Sequence, residues 1–247
     1  MKKLISIVVA AIVLLTPAKT YAEKKIPILV YHSIAEFTGT GQKELYVTPE
    51  NFQSQMEYLK ANGFTPLTLE RWDEAGRVVK PIFITIDDGY KNNLSVAAIF
   101  SKIRGETFRP AATLFVISDF IGKRNRLSKE DLRQLSSSGM FSVQSHTATH
   151  PDLTKITNYE YELGESKRKI ERITGKPVIA ISYPYGTVNR KVVDETKKYY
   201  KFGLTTTPGP LVKSSAPNEN FELPRTYVKY STSLEEFARI AAGELGG

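Results

Sequence analysis

Short runs of β-branched and aromatic residues alternate with segments of helical periodicity along most of the chain. The runs that predict strands are 26–32, 64–69, 82–87, 112–117, 141–146, 178–183 and 202–206, with 221–228 as an eighth. Strands that alternate with helices favour a parallel sheet, because each crossover helix packs on the sheet between two strands. The chain has 247 residues and no internal repeat or linker, so one α/β domain accounts for its length.

Three of the intervening segments carry the residues that begin or end helices. Thr48 and Pro49 fit the N-cap and the first turn of one helix. Apolar residues recur at helical spacing from residue 159 onwards, and Gly175 ends that helix. Ser233 and Glu236 have the spacing of a capping box at the start of a last helix.

The first 22 residues have the pattern of a secretory signal peptide. Lys2 and Lys3 precede an apolar run over residues 4–15, and Thr20-Tyr21-Ala22 supplies small residues around a cleavage site. An uncleaved anchor is the alternative, but the apolar run is short for a membrane span. We therefore expect a leader at 1–22 and one folded domain at 23–247, exported from the cell.

Composition excludes several kinds of site. The chain has no cysteine, which rules out disulfides, thiolate metal ligands and a cysteine nucleophile. Its formal net charge of +8 becomes +5 when the leader is removed with Lys2, Lys3 and Lys19. This modest excess suits an anionic cell-wall environment. The sequence lacks the basic cluster with interleaved aromatics that nucleic-acid binding requires, so we expect no nucleic-acid partner.

Two adjacent carboxylates, Asp87 and Asp88, directly follow an apolar predicted strand. Like charges repel, and partial burial makes both ionised forms costly. A bound cation would offset that cost. Gly89 permits a sharp turn, which would let both side chains converge, whereas a regular strand would point them to opposite faces.

The second candidate pair is His146 and His150, which follow another predicted strand. Pro151 disfavours helical geometry at His150, so the pair belongs to a strand end and the turn after it. Taken alone, this spacing fits either metal ligands or two solvated or hydrogen-bonded histidines. The carboxyl ends of parallel strands gather on one face, so we expect this pair to meet the carboxylates. One carboxylate and two imidazoles can hold a divalent cation and leave positions open for water and substrate.

Three motifs together resemble the polysaccharide deacetylases, the NodB-homology or carbohydrate esterase family 4 enzymes. Residues 85–89, TIDDG, resemble the first family motif, and residues 146–150, HTATH, match the second. Residues 182–186, SYPYG, resemble the third, with Ser182 at the position of the family arginine. Alone, this third segment also fits a plain turn. The resemblance implies an α/β fold, a distorted (β/α) barrel of seven or eight strands, with the site at the strand carboxyl ends.

The resemblance also implies a role for each residue of the site. Asp88, His146 and His150 would hold a divalent metal, for which we expect zinc. The metal would lower the pKa of its bound water and polarise the substrate carbonyl. Asp87 would be the general base, and the backbone N–H of Tyr185 would stabilise the oxyanion.

Two departures from the usual family motifs point to one subgroup: the position of the histidine that would act as general acid, and the absence of an arginine from the third motif. No histidine follows His150, where the family usually has its acid histidine. His32 ends the first predicted strand, and this placement resembles the subgroup that deacetylates poly-β-1,6-N-acetylglucosamine; a core histidine is the alternative. The segment 223–225, LPR, resembles a late element of that subgroup. Arg225 is therefore our candidate for the arginine that is absent at Ser182.

We therefore expect a secreted, metal-dependent enzyme that hydrolyses N-acetyl groups of an N-acetylglucosamine polymer, with the poly-β-1,6-linked polymer favoured. A deacetylase of peptidoglycan, chitin oligomers or xylan is one alternative. A wall-binding module that keeps the fold without turnover is another. Ser182 favours that module slightly. The intact site residues argue against it: Asp87, Asp88, His146 and His150. We expect a monomer that is free or associated with the cell wall or the outer membrane face.

Overall fold

The structure is a computed structural model that describes residues 24–212 and 218–244. The leader that we predict at 1–22 lies outside the described residues. Eight strands form the main sheet: β1 (Ile28–Tyr31), β2 (Thr65–Leu67), β3 (Pro81–Ile86), β4 (Ala112–Val116), β5 (Phe141–Ser145), β6 (Ala180–Ser182), β7 (Phe202–Leu204) and β8 (Thr226–Tyr227). Each strand overlaps one of the eight predicted segments, so the strand predictions are confirmed.

The eight strands are parallel, and the sheet they form curls towards closure. Its order is β7-β6-β5-β4-β3-β1-β8, and β2 pairs with the first half of β3. Leu223 pairs with Leu204 of β7, and the Arg225 N–H donates to the Thr207 carbonyl at 2.9 Å. The next residues form β8, which pairs with β1. Segment 223–227 therefore connects the two edges of the curled sheet, as the predicted distorted barrel requires.

Short strand pairs and helices surround this sheet. Lys25–Ile26 pairs antiparallel with Leu211–Val212, and Ser33–Ile34 pairs parallel with Tyr46–Val47. The helices are α1 (Pro49–Ala61), α2 (Leu94–Ile103), α3 (Lys129–Ser137), a π-helix (Glu160–Glu165), α4 (Ser166–Thr174), α5 (Arg190–Thr196) and α6 (Leu234–Ala241). Short 3₁₀ helices are Lys43–Leu45, Leu69–Glu74, Lys91–Asn93, Ser118–Phe120, Leu153–Lys155, Pro184–Gly186 and Glu219–Phe221. None of the described helices is long and apolar enough to cross a membrane.

The predicted helix ends are present. The Thr48 hydroxyl accepts the Asn51 N–H and begins α1. Gly175 ends α4 in the left-handed region, with φ 66°. At α6, the Ser233 hydroxyl accepts the Glu236 N–H at 3.1 Å, which is the N-cap bond of the predicted capping box.

Successive side chains of β3 point alternately to the two faces of the sheet, and this determines which of them reach the site. Ile82 and Ile84 belong to the core that the sheet shares with the helices, whereas Phe83 belongs to the core inside the barrel. Successive side chains of a strand point to opposite faces, so Thr85 and Asp87 continue the inward-facing series. The strand therefore directs Asp87 towards the barrel interior at its carboxyl end.

Candidate active site

The carboxyl ends of β3 and β5 bring the two predicted pairs of side chains together. Asp88 Oδ1 lies 3.6 Å from Nε2 of His146 and 3.8 Å from Nε2 of His150. One ligand atom from each of these three residues lies within 4.8 Å of the other two. The structure therefore assembles the carboxylate and two imidazoles that the sequence indicated.

A left-handed turn at the end of β3 makes this arrangement possible. Asp88 has φ 72° and Gly89 has φ 66°, so both residues of the turn lie in a region that disfavours most side chains. A β-carbon on Gly89 would also stand 3.0 Å from Val116 Cγ1, so glycine lets the turn pass close to β4. The turn moves Asp88 towards the histidines, while Asp87 keeps the inward direction of β3.

The carboxyl end of β6 fixes the ring orientation of His146, which follows β5. Its Nδ1 lies 2.8 Å from the Ser182 carbonyl oxygen, and because that oxygen can only accept, Nδ1 carries the proton. The lone pair of Nε2 then faces Asp88, as in a metal-ligating histidine whose other nitrogen is held by a carbonyl. Thr147 and His150 both have left-handed backbones, and the Thr147 hydroxyl accepts the His150 N–H at 2.9 Å. These donors fit a divalent cation.

Glu162 supports the loop after β5, and the sequence analysis did not identify it. Its buried carboxylate accepts the N–H groups of Ala148 and Thr149 at 3.0 and 2.9 Å, and the Thr149 hydroxyl at 2.6 Å. It lies in the π-helix Glu160–Glu165, a form that often marks functional sites. The available signal was an acid on the apolar face of the helical pattern that starts at residue 159.

Arg225 and Ser182 hold the Asp87 carboxylate. Arg225 donates to Oδ1 and Oδ2, each at 2.8 Å, and the Ser182 hydroxyl donates to Oδ2 at 2.9 Å. The guanidinium also donates to the Thr85 hydroxyl at 3.0 Å and to the Thr205 carbonyl at 2.8 Å. Arg225 is 0% exposed, so it forms a buried, bidentate ion pair with Asp87. The structure thus places Arg225 against the carboxylate that we expected it to orient.

Burial and charge set the ionisation of the site. Burial is the largest single influence and would raise the pKa of Asp87, but the charge and hydrogen bonds of Arg225, together with the charges of His146 and His32, outweigh it and hold that pKa well below its ordinary value. Burial, with a further contribution from His146, lowers the pKa of His150 to about 4. At neutral pH, Asp87 is therefore ionised and His150 is neutral, which is the form that binds metal.

His32 lies in the wall of the same cavity, which has a volume of about 190 Å³ and contains Asp87 and the three candidate ligands. The His32 ring stacks on the Tyr227 ring, with centroids 5.5 Å apart and planes 5° apart. Burial lowers the pKa of His32, and the charges of Asp87 and Asp88 partly oppose that effect. The structure therefore brings His32 to the site, as the sequence predicted.

Tyr185 lines the outer part of the cavity. The residue is 66% exposed, and its ring meets the His150 ring edge-on, with centroids 4.8 Å apart. Its backbone is left-handed, with φ 61°. A β-carbon on the next residue, Gly186, would stand 2.1 Å from Thr206 Oγ1, so only glycine lets this turn pack so closely. Segment 182–186 is thus a strained turn at the site, and not a plain surface turn.

The family model for polysaccharide deacetylases matches residues 75–202, more than half of the chain. This chain belongs to the polysaccharide deacetylase family. It is therefore a hydrolase of the carbohydrate N-deacetylase type, and the family resemblance of the three motifs is confirmed. His32 and Arg225 both lie outside the matched residues, so the family model alone does not account for them.

Individual relatives of this deacetylase cover more of the chain. A crystal structure of BC0361, a polysaccharide deacetylase from Bacillus cereus, is 50% identical with a TM-score of 0.87, and covers 89% of this chain and 69% of that one. The Streptococcus pyogenes deacetylase PplD, in complex with acetate, is 26% identical with a TM-score of 0.77, over 89% and 99%. A poly-β-1,6-N-acetyl-D-glucosamine N-deacetylase of Staphylococcus epidermidis is 26% identical over 229 residues, 80% of this chain and 75% of that protein.

Proposed function

We propose that this deacetylase is exported and metal-dependent, and that it hydrolyses N-acetyl groups of an N-acetylglucosamine polymer, with the poly-β-1,6-linked polymer as its favoured substrate. The observation that carries the proposal is the buried pair of Arg225 and Asp87 beside the three candidate ligands. This ion pair keeps the Asp87 carboxylate ionised in the same cavity that would hold the cation. The similarity to the Staphylococcus epidermidis enzyme supports the choice of polymer.

Asp88, His146 and His150 are the residues that would hold the cation, for which we propose zinc. When bound, the cation would lower the pKa of a water molecule and polarise the acetyl carbonyl. Asp87 accepts the proton of the attacking water. Arg225 fixes the direction of the Asp87 carboxylate before substrate arrives, so little reorganisation is needed during the reaction.

Two further residues act on the substrate in this proposal. The backbone N–H of Tyr185 donates to the oxyanion that forms when water adds to the acetyl carbon. His32 then protonates the leaving amine, because an amine leaves poorly unless it is protonated. Asp87 is the rival for this second task, because it holds the proton of the attacking water when the amine leaves.

Ser182 does not weaken this proposal, although it departs from the family motif. Its hydroxyl donates to Asp87 and accepts from Arg225 at 2.7 Å, so it belongs to the network that supports the carboxylate. This contact removes the one reason for preferring a wall-binding module without turnover.

Acetate release from purified glycans tests the proposal. We expect release from poly-β-1,6-N-acetylglucosamine to exceed release from peptidoglycan, chitin oligomers and acetylated xylan. Chelation should abolish the activity, and zinc or cobalt should restore it. Full activity in protein shown to be metal-free by elemental analysis would contradict the metal dependence, and a preference for another glycan would contradict the choice of polymer.

Export has a separate test. If residues 1–22 are a leader, N-terminal sequencing of the secreted protein should begin at or near Glu23. A chain that begins at Met1 in a cytoplasmic fraction would contradict both export and an extracellular substrate.

A further inference from the structure

A second cavity adjoins the one that contains Asp87 and the candidate ligands. It has a volume of about 310 Å³, within the range of roughly 300–1,000 Å³ that is typical of ligand pockets. Thr206 and Tyr227 line both cavities. Because Tyr227 also stacks on His32, one side chain separates the second cavity from the proposed general acid.

The walls of the second cavity combine charged and apolar groups. Lys229 and Glu236 supply an ammonium and a carboxylate, and Pro208 and Ile240 supply apolar surface. Within residues 24–212 and 218–244, neither charged group makes a side-chain hydrogen bond or an ion pair. Both groups are therefore available to a ligand.

This combination suits a sugar residue. A hexosamine ring has hydroxyl groups around its edge, which both donate and accept, and apolar C–H faces. Lys229 can donate to one hydroxyl and Glu236 can accept from another, while Pro208 and Ile240 pack against a face. One cation and one anion together carry no net charge, so the walls favour a neutral sugar over one that bears a carboxylate.

We propose that this second cavity binds the N-acetylglucosamine residue next to the one that is deacetylated. The inference rests on the proposed function, since only a polymer can place one sugar residue in each cavity at the same time. It adds that the enzyme prefers oligomers to the monosaccharide and neutral N-acetylglucosamine chains to those with acidic sugars.

The test compares three acetyl donors in the metal-loaded full chain: a β-1,6-linked N-acetylglucosamine tetramer, the monosaccharide, and 4-nitrophenyl acetate. The double variant Lys229→Ala with Glu236→Gln should lower kcat/KM for the tetramer about tenfold, mainly through KM, because it removes two polar contacts. The monosaccharide and the ester should be unaffected. The control is Lys176→Ala with Glu235→Gln, which changes exposed residues outside the cavity, one of them in the same turn of α6.

Two outcomes would overturn the inference: equal kcat/KM for tetramer and monosaccharide in the unsubstituted enzyme, or an unchanged tetramer preference in the double variant. Calorimetric binding of the tetramer to Asp87→Asn protein separates this inference from the proposed function. Binding that weakens with the double substitution supports the cavity even if no acetate is released. Binding that does not weaken contradicts it whatever the turnover.

Discussion

Arg225 donates to both carboxylate oxygens of Asp87 at 2.8 Å, although 138 positions separate the two residues in the sequence. Asp87 is 2% exposed and Arg225 is 0% exposed, so neither charge has access to bulk water. Removing one partner would leave the other as an uncompensated buried charge. If Asp87 is the general base, as proposed, stability and catalysis depend on the same contact.

Substitutions at Arg225 and Ser182 should lower the free energy of unfolding by different amounts. We predict that Arg225→Gln lowers the free energy of unfolding by about 3–5 kcal/mol, because it breaks a buried ion pair. Ser182→Ala should cost only about 1–3 kcal/mol, since it removes a hydrogen bond to a carboxylate that keeps its guanidinium. Urea unfolding of the metal-free proteins measures both values. Equal costs would show that Arg225 has no special part in holding Asp87.

Substitutions of the two adjacent carboxylates should impair the enzyme in different ways. Asp88→Asn should weaken metal binding, because it removes the charged ligand that faces His146 and His150. Asp87→Asn should retain the metal and lose turnover, because the proposed base is gone. Metal content by elemental analysis and acetate release distinguish the two variants. Equal loss of metal in both would contradict this division of roles.

Glu162→Gln should lower metal affinity without unfolding the protein. The amide cannot reproduce all three bonds that the carboxylate accepts from Ala148 and Thr149, so the loop that carries His146 and His150 loosens. Loss of such supporting contacts typically costs about 10–100-fold in metal affinity. Zinc competition with a chelator measures the effect.

The matched control for this variant is Glu171→Gln. Glu171 also accepts a backbone N–H, that of Val178, at 3.0 Å, but its partner lies outside the histidine loop. We expect zinc affinity in the control to remain unchanged. If both variants lose zinc affinity by the same factor, Glu162 acts through general stability and has no specific effect on the loop.

His150 should make the metal-free protein sensitive to acid. Its pKa is lowered from 6.5 to about 4 in the fold, whereas the unfolded chain has the ordinary value. Between these values the unfolded state binds more protons, so the free energy of unfolding falls as pH falls from about 6.5 to 4. Substituting His150→Gln should reduce that slope, as measured by urea unfolding at a series of pH values. An unchanged slope would mean that His150 does not titrate as described.

The sequence was most informative where one residue type determines the local structure. Apolar, β-branched runs predicted the strands, and residues such as Thr48 and Gly175 predicted where helices begin and end. Once the strands were placed, the rule that parallel strands align their carboxyl ends brought Asp88 and His146 to one face. These predictions needed no knowledge of which distant residues touch.

The features that depend on long-range contact were harder to predict. A positive φ, as at Asp88, Thr147 and His150, is uncommon for any residue other than glycine, and tertiary contacts fix it here. Glu162 was missed because its partners lie 13 and 14 residues away in a loop, and periodicity does not show such a contact. Arg225 could be suggested only by resemblance, because nothing near it in the sequence indicates that Asp87 is its partner.

His32 allows the sharpest test of the proposed chemistry. An amine leaving group needs a proton, and His146 and His150 must stay neutral to bind metal, so neither can readily supply it. Asp87 is the main rival, because in the proposed mechanism it has just accepted a proton from the attacking water. We predict that His32→Ala keeps the fold and the metal, and lowers kcat on N-acetyl substrates by about two orders of magnitude or more.

An activated ester should separate the acid role of His32 from a structural one. The leaving group of 4-nitrophenyl acetate needs no proton, so the loss of kcat in His32→Ala should be much smaller on the ester than on the glycan. A structural defect would lower both activities together. His32 stacks on Tyr227, so His32→Phe, which keeps a ring at this position but carries no transferable proton, serves as the control for packing. Near-normal kcat of His32→Ala on the glycan, with metal retained, would return the acid role to Asp87 and leave His32 a structural residue.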